Sequence, residues 1–189
     1  MRKIAAVLLL STAVAAPAFA ADNGPYAGVT LGRSKTNNPY PGTTMTKSTD
    51  TVLGVLGGYQ FSRSLGAEVF YTGAGKFAAT GGGGSGSGKA DVWGVNAVGT
   101  LPLSDAFSLY GKLGYARTKT SASSVPAGLT GATRSAVTYG LGGVFNVNQS
   151  IGIRLGWDRY AAATANGNVT GVKDNFNSNV YSLGAVFKF

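Results

Sequence analysis

Few side chains in this sequence could carry out chemistry. Its 189 residues include no histidine and no cysteine. This excludes serine–histidine–aspartate triads, histidine acid–base catalysis, thiol nucleophiles and the usual zinc sites. Glu68 and Asp158 could not replace a serine–histidine dyad without another base, so we do not expect an enzyme. No cofactor or metal is expected either.

Two acids and two bases stand out among the charged residues inside segments that otherwise alternate between apolar and small or polar residues: Glu68, Lys112, Arg154 and Asp158. Two acids and two bases can neutralise one another as ion pairs, which would be a structural role. They could instead line a path for ions, which would be a transport role. The choice between the structural and the transport role depends on the secondary-structure elements that position these four side chains.

The alternation itself predicts those elements. Apolar side chains recur at every second residue, the pattern of β-strands with two unlike faces. Eight strands are predicted, an even number, as a closed antiparallel barrel requires. They cover 25–33, 51–61, 64–72, 91–101, 107–116, 136–147, 150–160 and 179–189.

The predicted connections alternate in length. Short connections at one rim and long polar ones at the other are typical of an outer-membrane barrel. The run 81–88 is rich in Gly and Ser and is interpreted as a flexible loop tip within one hairpin, not as an interdomain linker. The short connections are 62–64, 102–106 and 148–150, and the long ones are 34–50, 76–90, 117–135 and 161–178.

The alternation at every second residue does not by itself show which face of the strands points into the barrel. A soluble lipocalin-like barrel buries its apolar face, whereas a membrane barrel shows it to lipid. Here the polar face is mostly Gly, Ser, Thr and Asn, which suits a narrow interior better than a solvated surface. The aromatic residues also fall at two levels, about 20 Å apart, as the girdles of a membrane barrel do. The upper girdle is predicted to contain Tyr71, Trp93, Tyr115, Tyr139, Trp157 and Tyr181, and the lower one Tyr59, Phe61, Phe145, Phe187 and Phe189.

The first twenty residues predict export. Arg2 and Lys3 precede a short apolar run at 4–10, and Ala18-Phe19-Ala20 provides a small-x-small cleavage pattern before Ala21. A transmembrane anchor is the alternative, but the run is too short for one. We therefore expect a signal peptide at 1–20 and a barrel domain at 21–189, in the outer membrane of a Gram-negative bacterium.

Several short stretches resemble the transmembrane domain of the OmpA-like family. The last strand is also similar to the β-signal that the barrel-assembly machinery recognises, through Tyr181, Leu183, Phe187 and Phe189. The resemblance implies an all-β fold, an eight-stranded antiparallel transmembrane barrel. Longer members add a peptidoglycan-binding domain, which is not expected in a chain ending at Phe189. The stretches are PYAGVTLG at 25–32, GGYQ at 57–60, YGKLG at 110–114, GGV at 142–144, IRL at 153–155 and SLG at 182–184.

In such a barrel, strand parity directs Glu68, Lys112 and Arg154 into the lumen at similar depth. Because an unpaired buried charge is costly, we predict a lumenal ion-pair network with Asp158 one layer above. OmpA-like barrels have an ion-pair plug with a glutamate and an arginine at the positions that match Glu68 and Arg154. Val144 and Val98 stand where that pattern has a second acid and a lysine, so a simpler network is expected. The structural role is favoured because an eight-stranded interior has room for side chains and little more.

The chain carries 16 Lys and Arg against 7 Asp and Glu. A basic outer rim suits the phosphates of lipopolysaccharide, and the alternative is a solvated loop surface without a specific partner. Membrane lipid, the barrel-assembly machinery and periplasmic chaperones are the other expected partners; nucleic acid is not one, and a monomer is expected. The predicted function is a structural or surface protein that supports envelope integrity, and the alternative is a narrow porin. The basic residues on or beside the long loops are Lys35, Lys47, Lys76, Lys89, Lys119, Arg134 and Lys173.

Overall fold

The computed structural model describes residues 23–36, 44–47, 49–81, 84–123, 132–161 and 177–189, so the predicted signal peptide lies outside the described residues. These ranges contain nine β-strands. No helix within them is long and apolar enough to cross a membrane. The strands are β1 (Gly24–Thr36), β2 (Thr44–Lys47), β3 (Thr49–Ser62), β4 (Leu65–Gly81), β5 (Gly84–Pro102), β6 (Phe107–Ser123), β7 (Ala132–Asn146), β8 (Ile151–Ala161) and β9 (Asn177–Lys188).

Eight of these strands form a closed antiparallel barrel. The ring runs β1-β3-β4-β5-β6-β7-β8-β9, and β9 pairs with β1 to close it. The short strand β2 stands outside the ring and pairs with the far end of β4, where Thr44 lies opposite Thr80. The predicted eight-stranded barrel is therefore confirmed, while β2 falls in a segment that was predicted to be loop.

Neighbouring strands are offset along their length, and the offsets add up to ten residues over one circuit of the ring. A path that starts at Tyr59 on β3 and steps between paired residues returns to β3 at Thr49, ten residues nearer the long-loop end. With a rise of about 3.3 Å per residue and strands about 4.8 Å apart, this stagger tilts the strands by roughly 40°. The path passes through Ala67, Ala97, Leu113, Tyr139, Arg159, Asn179 and Lys35.

The two faces of the barrel wall have the parity that the sequence predicts. Large apolar side chains point outward and are exposed, for example Leu113, whose exposed fraction is 62%. Its neighbour Lys112 points inward and is almost fully buried. An apolar exterior around a filled polar interior matches a barrel surrounded by lipid and not by water.

The hairpin between β4 and β5 is longer than predicted. The segment 76–90 was expected to be loop, but pairing continues outward as far as Gly81 opposite Gly84. The prediction of a flexible tip over 81–88 is therefore wrong for Gly84 to Gly88, which belong to β5. Ladder hydrogen bonds use backbone groups alone, so a Gly- and Ser-rich segment can extend a hairpin without any alternation of side chains.

The three short turns end in the same way. In each, a polar side chain accepts a hydrogen bond from the backbone N–H three residues later. The acceptors are Ser62 Oγ (from Leu65 N, 3.2 Å), Ser104 Oγ (from Phe107 N, 3.1 Å) and Asn148 Oδ1 (from Ile151 N, 2.8 Å). These local bonds fix the register in which each hairpin leaves its turn.

Candidate functional site

The barrel interior contains a group of four charged side chains, Glu68, Lys112, Arg154 and Asp158, called here the lumenal charge cluster. Strands β4 and β6 supply one each, and β8 supplies two. Their side chains are buried, with exposed fractions of 1% for Glu68, 7% for Lys112, 6% for Arg154 and 10% for Asp158. The structure thus brings together all four residues that parity directed into the lumen.

The cluster is a chain of alternating charges. Arg154 Nη1 donates to Glu68 Oε2 at 2.6 Å, and Lys112 Nζ lies 2.7 Å from Asp158 Oδ1. Lys112 Nζ also lies 3.7 Å from Glu68 Oε1, which links the two pairs. Two positive and two negative groups leave the cluster without net charge, which is the condition for burying ions at tolerable cost.

Two tyrosines that were not predicted as site residues complete this layer. The Tyr110 ring centroid lies 4.1 Å from Arg154 Cζ, within the range of a cation–π contact. Its hydroxyl donates to the carbonyl oxygen of Leu155 at 3.1 Å. The Tyr26 hydroxyl lies 3.4 Å from Glu68 Oε2 and donates to it. The alternation of side chains along each strand places both rings on the inner face. Which charged residue each ring contacts depends on the stagger between the strands, which the sequence does not give.

Space for the Tyr110 ring comes from two glycines on the next two strands of the ring, Gly142 on β7, which pairs in register with Tyr110, and Gly156 on β8. A Cβ atom at Gly142 or Gly156 would overlap the Tyr110 hydroxyl. These positions therefore need glycine for close approach of a side chain and not for a special backbone conformation. Small residues on the inner face are what allow a narrow barrel to hold an aromatic ring and four charged groups together.

An apolar layer lies above the charge cluster, on the side of the long loops. Phe70 follows Glu68 by two residues on β4, and Tyr160 follows Asp158 by two on β8. Their ring centroids are 5.7 Å apart, and both are buried with Val52 and Val180. Between the layers remains a cavity of about 20 Å³, enough for roughly one water molecule.

The two valines that depart from the OmpA-like pattern lie beside the cluster. Val98 is buried in the lumen and pairs in register with Lys112. Val144 pairs in register with Arg154. Apolar side chains thus border both cations where the family pattern has charges. Among the described residues, no group of three or more His, Cys, Asp or Glu could hold a metal ion.

The predicted girdle and assembly-signal residues lie on the outer wall. Tyr71, Trp93, Tyr115 and Tyr139 are exposed, and Trp157 is half-buried against Tyr139 in an edge-on contact, with ring centroids 6.0 Å apart. Tyr181, Leu183 and Phe187 face outward along β9, and Phe189 donates its backbone N–H to the carbonyl oxygen of Pro25 at 3.0 Å. Their roles in membrane anchoring and assembly remain predictions.

Comparison with known proteins agrees with this architecture. Residues 6–189 match the family model described as the outer membrane protein beta-barrel domain. A search of curated protein sequences gave no match.

Several solved structures have a similar fold. Neisserial surface protein A superimposes with a TM-score of 0.62 at 17% identity over 88% of this chain and 97% of its own. OprG from Pseudomonas aeruginosa gives 0.60 at 19% identity, over 88% and 96%. Ail from Yersinia pestis, in complex with the heparin analogue sucrose octasulfate, gives 0.56 at 16% identity, over 88% and 99%. Identities this low establish a shared fold and no more.

Proposed function

The chain belongs to the outer membrane protein β-barrel domain family, and from that premise we propose that it is a structural protein of the outer-membrane surface. Its barrel anchors the extracellular loops and does not conduct solutes. The observation that carries the proposal is the lumenal charge cluster, whose side chains cross the interior, with a cavity for about one water molecule between them and the apolar layer above.

Opening this lumen would require the cluster to separate. Removing one partner from a buried ion pair costs about 3–5 kcal/mol because the other charge remains uncompensated. At about 1.4 kcal/mol per tenfold change, this restricts an open state to roughly one molecule in a hundred or fewer. The apolar layer of Phe70 and Tyr160 would then have to move as well.

A narrow porin is the competing function, and planar-bilayer recording distinguishes the two. We expect purified, folded wild-type protein to show no stepwise current. Glu68→Ala and Arg154→Ala should leave the current unchanged while lowering the temperature at which the barrel unfolds. Wild-type channels whose conductance rises in either variant would contradict the proposal and support a gated pore.

The role in envelope integrity has its own test. A strain that lacks the protein is expected to become more permeable to detergent and to bulky antibiotics, and wild-type protein should restore the barrier. The matched control is Leu103→Ser, a substitution in the short turn between β5 and β6 that touches neither the lumen nor the long loops. A deletion strain with an unchanged barrier would contradict this role.

The basic residues near the long loops support contact with lipopolysaccharide. Without Arg2 and Lys3, 14 basic side chains remain against 7 acidic ones, a balance that attracts phosphate groups. The similar barrel of Ail binds a sulfated sugar in its crystal structure, which is the same polyanion chemistry. Salt-sensitive binding of lipopolysaccharide, lost on charge reversal of Lys47, Lys76 and Lys173, which belong to the predicted long loops, is the expected result.

The proposal includes the route by which the protein reaches the membrane. Residues 1–20 would be removed during export, periplasmic chaperones would deliver the chain, and the barrel-assembly machinery would recognise Tyr181, Leu183, Phe187 and Phe189. The folded protein would act as a monomer without enzymatic activity. Hydrolysis of lipid A or of peptides by the purified barrel would contradict the last point.

A further inference from the structure

A groove of about 740 Å³ crosses the outer wall of the barrel over β7, β8, β9 and β1. It is called here the wall groove. Two neighbouring rows of outward side chains flank it, with the upper row formed by Leu141, Trp157, Tyr181 and Arg33. It is an open depression of the wall and not an enclosed cavity.

The lining of the groove is suited to a hydrocarbon chain. Between the two rows, the positions whose side chains point into the lumen are small, namely Gly142, Gly156, Ser182 and Gly32, so backbone forms the floor. Below them the sides are leucines, including Leu155 and Leu183, both of which are exposed. The lower row begins at Gly143, which contributes no side chain.

The upper end of the groove is positively charged. The strand tilt makes each row rise from β7 towards β1, so Arg33 lies higher in the wall than Leu141. The next row above contains Arg159 on β8 and Lys35 on β1, with Asn179 between them. No outward position of these two rows on β8, β9 and β1 is occupied by Asp or Glu. Three cations therefore stand just above the aromatic level, where the phosphates of the outer leaflet lie.

A second group of basic residues, on the opposite side of the barrel, has a carboxylate beside it. Lys89, Arg117 and Lys119 also point outward above the aromatic level on β5 and β6. There, however, Asp91 lies 3.2 Å from Lys89 Nζ, pairs in register with Lys119, and accepts a hydrogen bond from the Tyr71 hydroxyl at 3.0 Å. Its carboxylate offsets the local positive charge, whereas in the described part of the chain no carboxylate occupies an outward position of the two rows of the wall groove on β8, β9 and β1.

We propose that the wall groove is a binding site for lipid A, the phosphorylated glycolipid of the outer leaflet. One acyl chain lies between the two rows, and Arg33, Lys35 and Arg159 bind a phosphate. This rests on the proposed outer-membrane function and deepens it, because it assigns lipopolysaccharide contact to the barrel wall in addition to the loops. Arginine suits this role, since its guanidinium group binds phosphate through two parallel hydrogen bonds.

The chain's two tryptophans allow a direct test, because Trp157 lines the groove and Trp93 lies on β5 across the barrel. The variants Trp93→Phe and Trp157→Phe each leave one reporter. Each is reconstituted into phosphatidylcholine vesicles that contain increasing amounts of lipid A with brominated acyl chains, which quench nearby indole fluorescence. Trp157 should reach half-quenching at a lipid A fraction about fivefold lower than Trp93, because the groove has one more net positive charge than the side of the barrel that holds Trp93.

Charge variants then separate phosphate recognition from ordinary lipid contact. In the Trp93→Phe background, Arg33→Gln with Arg159→Gln should remove the preference, and so should dephosphorylated lipid A. The control, Arg117→Gln with Lys119→Gln, removes two outward cations above the aromatic level of β6, on the other side of the barrel, and should retain it. Equal quenching of Trp157 and Trp93, or a preference that survives loss of Arg33 and Arg159, would overturn the proposed site.

These outcomes are distinct from failure of the proposed function. Equal quenching together with a silent bilayer would reject the wall groove and leave the structural role intact. Bilayer currents together with preferential quenching of Trp157 would reject the closed barrel and retain the lipid site.

Discussion

Glu68 on β4 and Arg154 on β8 meet across the barrel with their closest atoms, Oε2 and Nη1, 2.6 Å apart, although 86 residues separate them in the chain. The two strands are four positions apart in a ring of eight, so they belong to opposite walls. Lys112, on β6 midway between them, contacts Glu68 and Asp158. The cluster therefore connects the opposite walls at β4 and β8, and it also connects both of them to β6.

Breaking this pair should destabilise the barrel strongly. We expect Glu68→Ala and Arg154→Ala each to lower the free energy of unfolding by about 3–5 kcal/mol, because each leaves a buried charge without its partner. The double variant should lose less than the sum of the two, since it removes both charges. Urea unfolding in detergent micelles, followed by tryptophan fluorescence, measures all three. Strictly additive losses would show that the two side chains do not interact.

Tyr110 should contribute to the same layer through its ring and its hydroxyl. Tyr110→Leu is expected to cost about 2–3 kcal/mol, since it removes a cation–π contact with Arg154 and a hydrogen bond to the Leu155 carbonyl. Tyr110→Phe retains the ring and should cost only about 0.5–1.5 kcal/mol. The same unfolding assay applies. If both variants were equally unstable, the cation–π contact would have no measurable effect.

Much of this site follows from the sequence because side-chain parity in a strand is fixed by the pleat. Glu68, Lys112 and Arg154 alternate with apolar neighbours, so their inward direction could be predicted from any one strand. The ion-pair partner of each charged side chain could be predicted only approximately. The sequence indicates how deep a residue lies in the barrel only through its distance from the nearest short turn. Even so, the pattern was sufficient to group Asp158 with the other three.

The stagger of ten residues around the barrel cannot be deduced from the sequence of any single strand. It decides which residues of distant strands share a level, so the positions of Tyr110 beneath Arg154 and of Arg33 above the wall groove could not be predicted. The far ends of β4 and β5 were missed for another reason. Their Gly- and Ser-rich sequence has no alternation, yet backbone pairing continues to Gly81 and Gly84.

The close approach of Tyr110 to Gly156, two strands along the ring, gives a further prediction. Gly156→Ala places a methyl group on the Tyr110 hydroxyl, and we expect a loss of about 1–3 kcal/mol from overpacking. The matched control is Gly111→Ala, because a Cβ atom there meets no other atom within 4 Å. Urea unfolding should show almost no change for that control.

Rescue provides the decisive measurement for this contact. Tyr110→Phe removes the oxygen that the new methyl group would meet, so Gly156→Ala should cost less in the Tyr110→Phe background than in the wild type. A loss that is unchanged in the Phe background would mean that the overlap involves another neighbour, and the assigned role of Gly156 would be wrong.

The outward face of β6 offers a test of the lipid environment itself. Leu113 has an exposed fraction of 62% and lies between the two aromatic levels, whereas Leu103, at 55%, lies in the short turn beyond them. Arginine near the midplane of a bilayer costs about 2–4 kcal/mol and near the interface about 0–1 kcal/mol. Leu113→Arg should therefore destabilise the barrel in lipid vesicles far more than Leu103→Arg. In water, two leucines of similar exposure would respond alike, so equal effects would contradict a lipid-facing wall. A large difference would identify hydrocarbon, and not exposure alone, as what the outward leucines require.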